Sequence, residues 1–147
     1  MKTILLMTML LAGAVAVRAE GPAWLTDAAK AQAQAKADKK LVLLDFTGSD
    51  WCGWCIKLNK EVFSKPEFAE YAKKNLVLVE VDFPRKKKLS PDQSKANKAL
   101  AAKYNIEGYP TLIILDSTGT KVGELGYQAG GPKPFIAELE KLKKRAG

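Results

Sequence analysis

Two continuous apolar segments constrain the fold of this 147-residue chain more than any other feature. Residues 41–46 are apolar except for Asp45, and residues 76–81 are apolar except for Glu80. A strand with apolar side chains on both faces needs cover on both faces, as in sheets that carry helices on each side. The sequence therefore predicts central strands buried between two helical layers.

Helical segments alternate with these strands, so the chain is expected to form one α/β domain with a central mixed four-stranded sheet. Thr26 is the expected N-cap of the first helix. The spacing from Ser64 to Glu67 and from Ser90 to Gln93 is typical of capping boxes that open two further helices. The predicted strands are residues 41–46, 76–81, 111–115 and 121–125.

Cys52 and Cys55 are the only cysteines of the chain, and they lie where the first buried strand gives way to a helix. A separation of three on the first helical turn brings the two sulfur atoms within disulfide distance. The unpaired N–H groups and the dipole at a helix start stabilise an anion there. Cys52 is therefore the predicted nucleophile, and Cys55 the resolving thiol that attacks the mixed disulfide.

Other uses of this pair fit less well. A disulfide across two intervening residues constrains the unfolded chain very little, so it is a poor structural staple. A zinc site needs four ligands, but the chain has no second cysteine pair and no histidine. Covalent haem attachment requires a histidine directly after the motif, where Ile56 stands. No metal or other cofactor is expected.

Three motifs in order resemble the thioredoxin superfamily: residues 44–46, the segment from Trp51 to Cys55, and residues 108–111 before a strand. The resemblance covers the chain from about residue 24 onward. It implies a thioredoxin-like fold with a cis bond between Tyr109 and Pro110, packed against the dithiol. The Tyr109 backbone would then pair with an extended substrate chain. From the residues alone, a trans proline that begins a strand is the simpler interpretation.

The residues around the cysteines are expected to contact the substrate together with Tyr109 and Pro110; they are Trp51, Gly53 and Trp54. Asp45 occupies the position of the family's buried acid, which helps to move the proton of the resolving cysteine. A lone carboxyl in an apolar strand should have a raised pKa, as a proton carrier requires. The alternative is a side chain that is paired or hydrated at a strand end.

The sequence also departs from thioredoxin. Gly53 and Trp54 replace the Gly-Pro dipeptide, and one extra residue separates Asp45 from Cys52. Glu80 stands where thioredoxin often has a lysine, and residues 84–104 form a longer connection than in the minimal fold. The Cys-Gly-Trp-Cys motif is similar to that of exported thioredoxin-like proteins, so the substrate of cytosolic thioredoxin does not carry over.

The first residues have the pattern of a secretory signal peptide. Lys2 precedes an uncharged apolar run over residues 4–17, and cleavage is expected after Ala19. The run is shorter than the roughly 20 residues that span a bilayer. We therefore expect export to the periplasm or the exterior, a domain over residues 20–147, and no membrane insertion after cleavage.

Removal of Lys2 and Arg18 lowers the formal net charge from +8 to +6. The excess charge lies in short lysine runs without interleaved aromatic residues, so nucleic acid is not an expected partner. We expect a monomeric thiol–disulfide oxidoreductase that reduces disulfides of client proteins and receives electrons from a membrane-bound donor. The alternatives are a disulfide oxidase or isomerase, and a non-catalytic binding or metal-handling module.

Overall fold

The computed structural model describes residues 21–147, so the predicted signal peptide lies outside the described residues. This part of the chain alternates strands and helices, and a π-helical segment directly follows the second helix. The strands are β1 (Trp24–Leu25), β2 (Leu41–Thr47), β3 (Leu76–Asp82), β4 (Thr111–Leu115) and β5 (Lys121–Leu125). The helices are α1 (Ala28–Asp38), α2 (Gly53–Leu58), α3 (Pro66–Asn75), α4 (Pro91–Lys103) and α5 (Pro132–Ala146), with the π-helical segment over Asn59–Phe63.

The predicted mixed sheet is confirmed, but it has five strands rather than four. Their order is β1-β3-β2-β4-β5; β3 runs parallel to β1 and β2, whereas β4 runs antiparallel to β2 and β5. The additional strand is the two-residue β1, in which Trp24 pairs with Leu78 and Leu25 with Val79. Two residues are too few for a periodic pattern, so the sequence gives no strand signal there.

Helices cover both faces of the sheet, as the two apolar strands require. One buried cluster joins the sheet to α2, α3 and α5 and includes Leu43, Leu78 and Phe135. The other lies on the opposite face under α1 and includes Ala35 and Phe46. Because side chains alternate along a strand, each central strand supplies residues to both clusters.

Two predicted helix caps are wrong. Asp27 rather than Thr26 is the N-cap of α1, because its Oδ1 accepts a hydrogen bond from the Lys30 backbone N–H at 3.0 Å. Ser64 does not open α3; its hydroxyl donates to the carbonyl of Lys60 at 3.0 Å, since the preceding helix continues through the π-helical segment. Helix α3 begins instead with Pro66 and has no side-chain cap.

The predicted start and end of α4 are confirmed. The Ser90 side chain accepts a hydrogen bond from the Gln93 backbone N–H at 3.1 Å, and the helix ends before Tyr104. Among residues 21–147, no helix combines the length and the apolar character that crossing a membrane requires.

Candidate active site

A tight turn brings the first cysteine to the end of β2. The Gly48 carbonyl accepts hydrogen bonds from the backbone N–H groups of Trp51, at 3.2 Å, and Cys52, at 2.8 Å. A Cβ atom at position 48 would collide with the Trp51 indole, so this turn requires glycine. The turn ends in Cys52, which is the N-cap of α2.

Cys52 and Cys55 form a disulfide, with their Cα atoms 5.2 Å apart. The Cys55 backbone N–H donates to Cys52 Sγ at 3.3 Å. This contact places a backbone donor of the first helical turn at the Cys52 sulfur, where it favours a thiolate. Both residues are buried, at 7% and 5% exposure, so the helix position rather than exposure distinguishes them.

Asp45 lies on the sheet face that looks toward this pair. Its residue is 8% exposed, and its Oδ1 atom is buried without a hydrogen-bond partner among the described residues. Burial, together with the nearby Glu80 and Asp82 carboxylates, raises the pKa of Asp45 to about 8. Asp45 and Cys55 both line a cavity of about 230 Å³ between the sheet and α2.

The strand register explains why carboxyl groups gather at this cavity. In the parallel pairing of β2 and β3, Asp45 lies opposite Glu80 and Thr47 lies opposite Asp82. Asp82 is 3% exposed, and its carboxylate accepts from the Ser49 backbone N–H at 2.9 Å and from the Ser49 hydroxyl at 2.5 Å. Burial, and then the Asp82 charge, raise the pKa of Glu80 as well.

Trp51 is half-buried and packs against the segment that follows β3. Its Nε1–H donates to the Phe83 carbonyl at 2.7 Å, and the Arg85 guanidinium carbon lies 3.7 Å from the ring centroid. The Tyr109 ring meets Trp51 edge-on at 5.9 Å. Trp51 therefore joins the turn before Cys52 to the segment after β3.

Gly53 and Trp54, between the cysteines, are exposed. A Cβ atom at Gly53 would meet nothing within 4 Å, and Trp54 is 57% exposed. The Trp54 ring lies 4.9 Å from the Tyr127 ring, and the Lys57 ammonium lies 5.2 Å from the centroid of each. Ile56 is also exposed, at 49%, and lines the cavity that Asp45 and Cys55 share.

The peptide bond between Tyr109 and Pro110 is cis, as the resemblance implied. The Tyr109 ring packs against Trp51 and lies 5.3 Å from the Phe83 ring. Within residues 21–147, the Tyr109 N–H and C=O take part in no backbone hydrogen bond. The hydrogen-bonding capacity of both groups is therefore not used by the backbone of the described residues.

A family model described as a thioredoxin-like domain matches residues 28–143. The chain belongs to the thioredoxin-like family. With its Cys52–Cys55 pair, this family member is a thiol–disulfide oxidoreductase. The predicted fold and reaction class are thereby confirmed.

Two curated relatives and one solved structure place the chain within the family. The disulfide bond reductase DsbH of Chlamydia pneumoniae is 36% identical over 116 residues, which cover 79% of this chain and 70% of DsbH. The thioredoxin-related protein DsbJ of the same organism is 30% identical over 130 residues, covering 84% of this chain and 37% of DsbJ. The solved structure of a DsbH oxidoreductase has 32% identity and a TM-score of 0.81, covering 98% of this chain and 95% of that chain.

Sequence reasoning about the thioredoxin-like site missed Asp82 and the anchoring role of Asp50. The Asp50 carboxylate accepts from the backbone N–H groups of Arg85 at 2.9 Å, Lys86 at 2.8 Å and Lys87 at 3.0 Å. These hydrogen bonds hold the pKa of Asp50 below its usual range. The period-two pattern of β3 could have revealed Asp82, since it repeats the face of Glu80; nothing local in the sequence indicates the Asp50 contacts.

The raised pKa of Asp45 predicts a loss of stability with increasing pH. The pKa is 3.8 in its ordinary state and about 8 in the folded protein. Between these values the folded protein binds more protons than the unfolded chain, so the free energy of unfolding falls as pH rises. One pKa unit corresponds to about 1.4 kcal/mol, so the loss should reach several kcal/mol by the folded pKa.

Asp45→Asn removes this titration, so the free energy of unfolding should fall less with rising pH than it does in the wild type. Urea unfolding of the oxidised protein at about pH 5 and about pH 8.5 measures the difference. Asp38→Asn, at an exposed position at the end of α1, is the control and should follow the wild type. Parallel pH dependence in the wild type and Asp45→Asn would contradict the burial of an ionisable Asp45.

Proposed function

We propose that this protein reduces disulfides of client proteins through its Cys52/Cys55 dithiol. In the first step the Cys52 thiolate attacks a client sulfur, so a Cys52–client bond forms while the client S–S bond breaks. In the second step Cys55 gives its proton to Asp45 and attacks the Cys52 sulfur. The Cys52–Cys55 bond forms, the Cys52–client bond breaks, and the client leaves with two electrons and takes up two protons.

The observation that carries this mechanism is the shared cavity of Asp45 and Cys55. It holds a carboxyl group with an unpartnered oxygen on the same side of the sheet as the second cysteine. A group whose pKa of about 8 lies near neutral pH can both accept and return a proton. We therefore assign Asp45 the role of proton acceptor for Cys55.

Client binding is proposed at the exposed surface beside Cys52. The free Tyr109 N–H and C=O groups suit pairing with an extended client segment, as in strand addition. Trp54 and Gly53 offer an exposed aromatic ring and an open backbone next to the sulfur that attacks. Trp51 and Pro110 support this surface, Trp51 by packing on Tyr109 and Pro110 by the cis bond that follows Tyr109.

Several features favour reduction over oxidation. A strongly oxidising pair requires an especially stabilised thiolate. The chain has no histidine, and neither Gly53 nor Trp54 carries a charge. The Glu80 carboxylate on the cavity side disfavours negative charge on the Cys55 sulfur. The similar DsbH is described as a disulfide bond reductase, which is the direction proposed here.

We further propose that the protein is exported as a monomeric domain over residues 20–147 to the periplasm or exterior. The signal-peptide pattern of residues 1–19 supports export. A reducing dithiol in an oxidising compartment needs a supply of electrons, and a membrane-bound donor would provide them.

The division of labour between the cysteines predicts different products from two serine variants. With insulin as the test disulfide protein, Cys55→Ser should accumulate a mixed disulfide through Cys52, because no resolving thiol remains to release it. Cys52→Ser should accumulate little, because Cys55 lies one turn inside the helix and faces the cavity. Mass spectrometry under non-reducing conditions measures both; equal yields from the two variants would contradict the assignment.

The direction of electron flow predicts a low reduction potential. We expect a value nearer thioredoxin's approximately −270 mV than the roughly −120 mV of a strong oxidant. Equilibration with glutathione buffers, followed by thiol counting, gives the potential. A value above about −180 mV would instead favour an oxidase or isomerase. Failure to exchange electrons with glutathione at all would favour a non-catalytic binding protein.

A further inference from the structure

A cluster of carboxyl groups lies beside Cys55 because one face of β2 and β3 is apolar at first and becomes acidic toward the ends of the two strands. On that face β2 presents Leu43 and then Asp45, while the opposite positions of β3 are Leu78 and Glu80. Asp82 follows Glu80 on the same face, opposite Thr47. Three carboxyl groups therefore gather at the carboxyl ends of two parallel strands, where like charges oppose one another's ionisation.

Lys87 is the cation that meets this cluster. Its Nζ lies 3.0 Å from Asp82 Oδ2 and 3.9 Å from Glu80 Oε1. Among the ion pairs within residues 21–147, no other lysine or arginine reaches any of the three carboxyl groups. The Lys87 side chain is 52% exposed, which screens its charge, but the Asp82 side chain it contacts is only 4% exposed.

The turn before Cys52 holds Lys87 in place. Asp50 accepts the backbone N–H of Lys87 together with those of the two preceding residues. Ser49 donates two hydrogen bonds to Asp82, and Trp51 donates one to the Phe83 carbonyl. Each of the three residues before Cys52 thus binds the segment from Asp82 to Lys87, so the Lys87 backbone is anchored to the turn that carries the dithiol.

The neighbours of Asp45 on the β4 side and on the cavity side carry no positive charge, so Lys87 is the cation that balances the carboxylates near it. On the β4 side, Asp45 pairs with the uncharged Leu112. The cavity side supplies Glu80 and the Cys55 thiol as titratable groups. The other side chains lining the cavity are uncharged; they are Trp24, Thr47, Ser49, Ile56, Asn59 and Phe63.

We propose that Lys87 is a positioning residue for the reaction: its ammonium offsets the charges of Glu80 and Asp82 and so sets the pH at which Asp45 accepts the proton of Cys55. This inference rests on the role proposed above for Asp45. The Glu80 and Asp82 carboxylates raise the pKa of Asp45, whereas the Lys87 ammonium acts on Glu80 in the opposite direction and lowers the pKa of that carboxyl. The loop over residues 84–89 therefore supplies the positive charge that the strand position of Glu80 lacks.

The test follows the resolving step alone. When reduced protein is mixed with the aromatic disulfide 5,5′-dithiobis(2-nitrobenzoate), Cys52 releases one coloured thiolate and Cys55 then releases the second. The second phase is intramolecular, so its rate does not depend on the reagent concentration. Stopped-flow absorbance over a pH range of about 5 to 9.5 gives the midpoint at which this phase reaches half its maximal rate.

Lys87→Gln should move this midpoint upward by about 0.5–1 pH unit, because the loss of a nearby cation makes ionisation of Asp45 harder. Glu80→Gln should move it downward, because it removes a like charge. Lys86→Gln is the matched control: it neutralises the adjacent exposed lysine, which forms no ion pair with the cluster, and should keep the wild-type midpoint. Lys87→Arg retains the charge and should also keep it.

The proposal is overturned if Lys87→Gln leaves the midpoint unchanged or lowers it, or if Glu80→Gln raises it. Asp45→Asn separates this failure from failure of the proposed function. If Asp45→Asn leaves the rate and midpoint unchanged, Asp45 is not the proton acceptor. If Asp45→Asn slows the second phase while Lys87→Gln behaves as wild type, only the role of Lys87 is wrong. Opposite shifts in Lys87→Gln and Glu80→Gln cannot arise from a common loss of folding.

Discussion

Moving a carboxylate from water into a protein interior costs several kcal/mol unless hydrogen bonds or an opposite charge compensate for it. Asp45 meets neither condition directly, since its Oδ1 is buried without a partner among residues 21–147. The parallel register of β2 and β3 adds Glu80 and Asp82 to the same face. The protein therefore maintains a carboxyl group that is protonated near neutral pH and lies on the cavity of Cys55. In the mechanism proposed above, that group takes up the proton of Cys55 when the Cys52–Cys55 disulfide forms.

The short turn before Cys52 connects this buried chemistry to the surface. Ser49, Asp50 and Trp51 point their polar atoms toward the segment after β3, and Gly48 allows the indole to lie against the turn. The cysteine that follows is consequently fixed at a helix start, while the residues beyond it face outward. In such a site the cysteines are held against the sheet, while the residues around them are exposed to solvent. This arrangement suits an enzyme whose clients are other proteins.

The sequence predicts those features that depend on local pattern. Residues 41–46 and 76–81 are apolar over a full strand length, and Cys52 to Cys55 has helix-start spacing, so the central strands and the dithiol follow from the residues. Ser64 shows the limit of such patterns, because the continuation of the preceding helix occupies its hydroxyl. The cis bond before Pro110 was implied only by resemblance to a family. The pairing of Lys87 with Asp82 depends on how a loop folds back over a strand, which no local pattern encodes.

The ionisation of Asp45 is open to direct measurement. Carbon-detected NMR of the side-chain carboxyl in the oxidised protein, assigned by comparison with Asp45→Asn, follows its protonation as pH is varied. We expect a pKa near 8 for this group. A carboxyl that titrates with the ordinary aspartate value of about 4 would contradict the account, because such a group is fully ionised at neutral pH and has little capacity to accept a thiol proton.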